Sequence, residues 1–375
     1  MKKFKRFLAL ALVLALFSTA FIGCGGSSQT AQTPSAPSQT EATDGQSQQK
    51  EPAGEVITLR VAYHEPATSP FHKAWEEFGA QLEEKTNGQC KLQLYPGEQL
   101  GKGADMVSMI ANNITDIGWM VVPFFPGQFP ITEVLNLPMM GVSGSKVGGK
   151  SLWDLYQITP EMQEEWAQGM HLITFTASGY QFLNTMEKPV FVPDDIKGLK
   201  IRVAGSVPSR FIELLGGSPV SMPPPDMYEA LDKGVIDGYV LDWMGINSFK
   251  LQDVTKNAMT MPFVSVPKSI AMTQSVWDSL PDNVKAVFDE LGGAAGTQLF
   301  GAAFDDCCEP LRSDFLKMEG RQINEVSDEQ KALWEEAAKP IWDDWAKTMD
   351  EKGLDGQKLI ETFREIVENN SKEIN

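Results

Sequence analysis

The 375-residue sequence is poor in the residues that most often carry catalysis and metal binding, with only four cysteines and three histidines. Beyond residue 30 these are Cys90, Cys307, Cys308, His64, His72 and His171. Their spacing matches neither a metal motif nor a disulfide framework. No GxSxG, P-loop or GxGxxG motif stands between a predicted strand and a predicted helix. We therefore predict that the protein is not an enzyme and has no resident cofactor.

Basic residues are also scarce, since 32 Lys and Arg face 50 Asp and Glu and the formal net charge is −18. This acidity argues against nucleic acid and against an anionic membrane surface as partners. The negative charge also disfavours the binding of anions in general. An arginine buried in a strand is therefore more informative about a specific site for an anionic ligand.

The first 23 residues read as an export signal. The basic start MKKFKR precedes an apolar run over residues 7–22, and Gly23 and Cys24 follow where cleavage is expected. "FIGC" resembles a bacterial lipobox, which implies cleavage before Cys24, acylation of its thiol and a lipid anchor on the outer face of the cell membrane. The alternative is a soluble secreted protein with a chance cysteine. Residues 24–54 lack any large apolar side chain and predict a flexible spacer.

From about residue 55 onward, strand and helix patterns alternate. Strands are predicted at 56–63, 90–97, 115–122 and 170–177, and the rhythm restarts at 178–184. Such alternation is typical of an α/β fold with mostly parallel sheets covered by helices on both faces. A helical pattern over residues 280–320 predicts one long helix that spans two domains, with a kink at Gly292-Gly293.

The stretch "GLKIRVAGS", residues 198–206, raises a specific question about Arg202. Alternation places Leu199, Ile201 and Val203 on one face of a strand and Arg202 on the other. Ser206 is a candidate N-cap for the next helix, so Arg202 lies near the carboxyl end of its strand, where open α/β sheets bind ligands. The alternative is an edge-strand arginine paired with a surface carboxylate.

Four stretches resemble the solute-binding proteins of tripartite ATP-independent periplasmic (TRAP) transporters, extracellular solute-binding protein family 7. They are YPGEQLGKGADMV, DIGWMVVPFFPGQFPITEVLNLPMM, PDDIKGLKIRVAG and YEALDKGVIDGYVLDW. The resemblance implies a two-lobed periplasmic-binding-protein-like fold whose interlobe cleft closes on an organic acid, with a long helix spanning both lobes. It implies residues 55–178 plus 268–306 for lobe I, 179–267 plus 307–356 for lobe II, and a C-terminal helix at 357–375.

The resemblance also assigns a role to Arg202, because the arginine of this strand pairs with the ligand carboxylate in the family. A second arginine that the family often carries is replaced here by Gln181, and the segment from Tyr239 to Trp243 replaces a polar run. We therefore expect a monocarboxylate with an apolar or aromatic body rather than a C4-dicarboxylate.

Further ligand-binding candidates stand at strand ends: Tyr63, His64, Trp119, Tyr239, Asp242 and Trp243. Core packing is the alternative for each aromatic residue. Asp242 is a candidate to hold a cation that bridges to the ligand, and the alternative is an ordinary helix cap.

The expected function is delivery of the acid to a TRAP permease driven by an ion gradient. Two alternatives stay open, the receptor of an ATP-driven importer and a membrane-tethered enzyme. A sensory role, in which the protein presents its ligand to a membrane kinase, is compatible with the receptor function.

Overall fold

The computed structural model describes residues 56–259 and 261–374. The predicted signal peptide, Cys24 and the spacer at 24–54 lie outside the described residues. Among the described helices, none combines the length and the apolar character that a bilayer crossing requires.

The strands, in chain order, are β1 (Ile57–Ala62), β2 (Cys90–Tyr95), β3 (Ile117–Val121), β4 (Met170–Ala177), β5 (Phe182–Thr185), β6 (Lys200–Val203), β7 (Ser218–Ser221), β8 (Gly238–Leu241), β9 (Asn257–Met259), β10 (Pro267–Thr273) and β11 (Gln322–Asn324). The helices are α1 (Pro70–Lys85), α2 (Met106–Ala111), α3 (Ser145–Ile158), α4 (Pro160–Trp166), α5 (Ser206–Leu214), α6 (Met227–Asp232), α7 (Trp243–Ser248), α8 (Gln274–Ser279), α9 (Asp282–Leu291), α10 (Gly293–Asp305), α11 (Cys308–Lys317), α12 (Asp328–Asp350) and α13 (Gly356–Ile374).

The strands form two mixed sheets, each the centre of one lobe. The first sheet has the order β2-β1-β3-β10-β4, and the second has the order β11-β9-β5-β8-β6-β7. In the first sheet β1 is parallel to β2 and β3, whereas β10 is antiparallel to β3 and β4. In the second sheet β6 is parallel to β7 and β8, whereas β5 is antiparallel to β8. The sheets are less parallel than the sequence predicts. The exceptions are β5 and β10, each the first strand after the chain passes to the other lobe, and both run antiparallel to their neighbours.

The antiparallel strands decide which residues reach the edge between the lobes. Lys268, at the amino end of β10, pairs with Val121 at the carboxyl end of β3. Phe182, at the amino end of β5, pairs with Leu241 at the carboxyl end of β8. Residues from the starts of two strands therefore join residues from the ends of two others.

The single long helix predicted over residues 280–320 is wrong. The segment forms three helices, α9, α10 and α11. Gly293 has φ +49°, and a Cβ on Gly292 would lie 2.6 Å from the carbonyl oxygen of Ile173. The helix ends there because the chain both turns into a left-handed conformation and approaches β4 closely.

The long helix that contacts both lobes is α12. The indole nitrogen of Trp334 donates to the carbonyl of Phe191, which follows β5 in the second lobe. The indole nitrogen of Trp345 donates to the carbonyl of Pro130, which follows β3 in the first lobe. The helix thus forms hydrogen bonds with both lobes.

Residues 144–151, GSKVGGKS, match the letters of a P-loop but lie in α3 from Ser145 onward. A Cβ on Gly148 would lie 2.8 Å from the Cβ of Ala177 in β4. Lys150 pairs with Asp154 one turn later, at 2.8 Å. These glycines allow α3 to pack closely on β4, and the stretch forms no phosphate-binding loop.

Candidate functional site

A small, largely buried cavity lies between the two sheets. Its polar lining residues are His64, Glu65, Gln181, Arg202, Asp242 and Lys268, none of them more than 6% exposed. Large apolar residues complete the walls: Val121, Phe124, Leu241, Met244, Phe249 and Phe304. Because both lobes contribute, this cavity is the candidate ligand site between them.

Arg202 lies in β6, which is an interior strand of the second sheet, and it is 1% exposed. Its Nε donates to the carbonyl of Met222 at 2.9 Å, and one terminal nitrogen donates to the carbonyl of Val240 at 3.4 Å. Within the described part of the chain no carboxylate lies within ion-pair distance of the guanidinium. The edge-strand alternative therefore fails, because Arg202 is neither on an edge strand nor paired with a surface carboxylate.

Burial lowers the pKa of Arg202 to about 10, and Asp242 acts in the opposite direction. The guanidinium stays charged near neutral pH. A buried cation that is oriented by two carbonyls and lacks a contacting counterion is suited to receive a carboxylate, because such a pair is strong when water is excluded.

Lys268 is the second buried cation, and it is not among the residues predicted from the sequence. Its Nζ lies 4.1 Å from the ring centroid of Phe304 and 4.8 Å from that of Trp119. Desolvation lowers the pKa of its ammonium group, while Asp242 and Glu65 raise it. The two aromatic faces supply part of the stabilisation that a contacting carboxylate would otherwise give.

His64 and Glu65 follow β1 and enter the cavity from the first lobe. The ring of His64 stacks on Trp119 at 4.7 Å, and burial with the nearby cations lowers its pKa to about 3. The imidazole is therefore neutral. Ser69 caps α1. Burial also raises the pKa of Glu65 to about 7.

Asp242 and Gln181 enter from the second lobe. Asp242 caps α7, because its Oδ1 accepts a hydrogen bond of 2.8 Å from the backbone of Gly245. Among the described residues no cluster of three or more histidine, cysteine and acidic side chains is placed to hold a metal ion. The backbone of Gln181 bonds to that of Val264 where the chain crosses between lobes, which brings its amide into the lining.

Two of the predicted aromatic residues lie behind the first-lobe wall. The hydroxyl of Tyr63 bonds to Nδ1 of His72, and its ring belongs to the core of the first lobe. Trp119 is fully buried, and its Nε1 donates to Thr176 at 2.9 Å. Trp119 contacts the ring of His64 and thereby supports a lining residue without being one itself.

The other two predicted aromatic residues lie in the core of the second lobe. The hydroxyl of Tyr239 bonds to that of Thr255. The ring of Trp243 packs against Phe182 at 4.8 Å and Phe315 at 5.4 Å. Neither residue lines the cavity.

Gly205 marks a close approach of the two lobes beside the site. It has φ +94°, and its Cβ would lie 2.6 Å from the Cβ of Pro123, which follows β3. Gly205, rather than Ser206, is the N-cap of α5. A glycine is required here because any side chain would be both strained and in collision with the other lobe.

A larger depression of about 1310 Å³ lies elsewhere, beside α4, and opens to solvent. Its wall carries Glu161, Glu164 and Glu165. These three carboxylates outnumber the one lysine of that wall, Lys352, and disfavour an anion, so the buried cavity with Arg202 is the better site for an acid.

Residues 61–348 match the family described as bacterial extracellular solute-binding protein, family 7 (DctP). The C4-dicarboxylate-binding periplasmic protein DctP of Rhodobacter capsulatus is 24% identical over 308 residues, which is 78% of this chain and 87% of the relative. A marine metagenome TRAP solute-binding protein, from an unidentified microbe and specific for aromatic acid ligands, was crystallised with 3-hydroxybenzoate. It is 27% identical with a TM-score of 0.78, and the match covers 84% of this chain and 99% of that one.

An open complex of a TRAP periplasmic solute-binding protein from Desulfovibrio salexigens is 28% identical with a TM-score of 0.72, and the match covers 83% of this chain and 95% of that one. The matched region spans both lobes and every residue of the cavity lining. The chain belongs to the family 7 bacterial extracellular solute-binding proteins.

Proposed function

We propose that the protein is an extracytoplasmic receptor that binds a monocarboxylic acid in the interlobe cavity and delivers it to a TRAP permease. The observation that carries the proposal is the guanidinium of Arg202, buried in the cavity and without a carboxylate contact among the described residues. A ligand carboxylate would act as the counterion of this guanidinium and accept parallel hydrogen bonds from it.

The apolar walls favour an acid with an apolar or aromatic body. Phe124, Phe249 and Phe304 line the cavity, and each offers a ring surface to a flat ligand. A relative at 27% identity is described as specific for aromatic acid ligands, which supports this ligand class. The relative named for C4-dicarboxylates is 24% identical and matches less closely.

Ligand release requires the lobes to separate, because the lining is almost fully buried. We propose that lobe I comprises residues 55–178 plus 268–306 and lobe II residues 179–267 plus 307–356, with residues 357–375 as a C-terminal helix. Placement of β10 in the first sheet and of β9 in the second supports this division. An acid that contacts both lobes would favour the closed form and so shift the population toward the form that docks on the permease.

The proposed location includes a lipid anchor at Cys24. The order of basic start, apolar run, small residue and cysteine supports it. Metabolic labelling with a radioactive fatty acid tests the anchor. Label is expected on the wild-type protein and lost in Cys24→Ala, and equal labelling of both would refute the anchor.

A thermal-shift screen tests the ligand class. The panel contains benzoate, 3-hydroxybenzoate, phenylacetate, mandelate, succinate and malate. We expect aromatic monocarboxylates to raise the unfolding midpoint of the wild-type protein and of Arg210→Met, a surface control. Arg202→Met should lose the shift. Binding of C4-dicarboxylates in preference would refute the ligand class, and an unchanged shift in Arg202→Met would refute the role of Arg202.

A further inference from the structure

The carboxyl group of Glu65 lines the cavity without a hydrogen bond from the described residues. The residue is 3% exposed, and its Oε2 is buried with no partner. Its Oε1 lies 3.8 Å from Nε2 of His64, beyond hydrogen-bond distance. A buried polar atom without a partner is costly, so a carboxyl group in this state is expected to meet a polar group of the ligand.

The charged and polar groups that face Glu65 come from three directions. His64 lies beside it at the end of β1 and is neutral. Lys268 acts on it from β10 and favours its ionised form, whereas Asp242, at the start of α7, disfavours that form. The hydroxyl of Ser248 in α7 lies close enough to favour ionisation but forms no hydrogen bond of ordinary geometry.

These charges restrict the ligand group that Glu65 can meet. A ligand ammonium would be repelled by two buried cations, Arg202 and Lys268. A second ligand carboxylate would face both Glu65 and Asp242. A hydroxyl group is neutral and both donates and accepts, so it can bond to Glu65 in either protonation state.

We propose that Glu65 is a specificity-determining residue that bonds to a hydroxyl group on the body of the acid, so that the ligands are hydroxy-substituted monocarboxylic acids. The proposal rests on the proposed function, because the carboxylate of the same ligand is held by Arg202. The hydroxyl recognised by Glu65 lies on the side of the cavity formed by the first lobe.

Isothermal titration of the purified protein with two matched pairs of acids tests this. The pairs are 3-hydroxybenzoate with benzoate, and mandelate with phenylacetate, which differ in one hydroxyl group. We expect the wild-type protein to bind the hydroxy acid of at least one pair about 10- to 100-fold more tightly than its parent. Glu65→Leu should bind both members of that pair within about threefold of each other.

Two further variants separate recognition from a general disturbance of the fold. Glu65→Gln keeps hydrogen-bonding atoms and should retain more of the preference than Glu65→Leu. Glu133→Gln changes another mostly buried carboxyl with a raised pKa, outside the cavity lining, and should keep the full preference. Unfolding midpoints of all variants report whether each is folded.

The outcomes distinguish the two proposals. If the acids bind and the wild-type protein shows no preference for the hydroxylated member of either pair, the role of Glu65 is refuted and the receptor function stands. The same holds if folded Glu65→Leu and Glu65→Gln both keep the full preference. If no member of either pair binds the wild-type protein, the proposed ligand class and the role of Glu65 are both refuted.

Discussion

Replacing Lys268 with methionine should change stability and ligand affinity in opposite directions. Lys268 is 6% exposed, and within the described residues its ammonium group has no carboxylate within ion-pair distance. Its two cation–π contacts contribute about 0.5–2 kcal/mol each. Burying an ammonium group without a contacting counterion costs several kcal/mol, and that cost is what lowers its pKa.

Methionine has a similar length and keeps favourable sulfur–aromatic contacts of about 0.3–1.5 kcal/mol with the same two rings. The balance favours the variant, so we expect the free energy of unfolding of the ligand-free protein to rise by about 1 kcal/mol. For a chain of this size the unfolding midpoint should increase by roughly 2 °C. Loss of the second buried cation in the cavity lining should weaken binding of an anionic ligand by about 1.5–3 kcal/mol, or roughly 10- to 150-fold.

The assay combines thermal unfolding without ligand and isothermal titration with the acid that gives the largest shift in the screen. Lys285→Met is the matched control, because the Nζ of Lys285 lies 6.0 Å from the ring centroid of Trp277 and neither residue lines the cavity. It should change neither affinity nor midpoint by much. Unchanged affinity together with a lower midpoint in Lys268→Met would mean that Lys268 serves the fold and not the ligand.

Two further predictions concern cleft closure and pH. Gly205→Ala should weaken acid binding at least tenfold and destabilise the protein by about 1–3 kcal/mol. The control Gly234→Ala, at φ +66° with open space around it, should lower stability without changing affinity. Equal titration curves for the two variants would contradict the proposed closure. Burial raises the pKa of Glu133 to about 7. Ionising this carboxyl therefore destabilises the folded protein, and the loss of stability is absent below the unfolded pKa near 4.5 and complete above pH 7. Glu133→Gln should therefore leave the unfolding midpoint unchanged at pH 4 and stabilise the protein by roughly 1–3 kcal/mol at pH 8. The exposed control Glu161→Gln should leave stability unchanged at both pH values. An equal gain for Glu133→Gln at both pH values would refute the assignment.

Local sequence patterns determined most of the secondary structure and the family. The strand that carries Arg202 follows from side-chain alternation, and its carboxyl-end position follows from the helix pattern that begins near Ser206; both depend only on neighbouring residues. The long helix over 280–320 was wrong, because its break depends on the approach of Gly292 to β4, a contact between segments far apart in the chain.

The composition of the cavity was decided by the tertiary structure. Arg202, Gln181, His64 and Asp242 were predicted from strand ends and family resemblance, and the structure places all four in the lining. Lys268 stands at the start of a strand, and only the antiparallel pairing of β10 with β3 brings it to the ligand edge. Its one sequence signal is a single lysine in an otherwise uncharged strand, PKSIAMT.

The sequence by itself determined that this is an α/β receptor-like protein with one informative arginine, because hydrophobic periodicity and motif order are properties of the chain. Only the tertiary structure decided which neighbours that arginine has. That Trp243 packs in the core, and that Glu65 faces the cavity, depends on which segments of the chain meet at each place. Such meetings are set by strand pairing and lobe contact across long separations in sequence, which a local pattern does not encode.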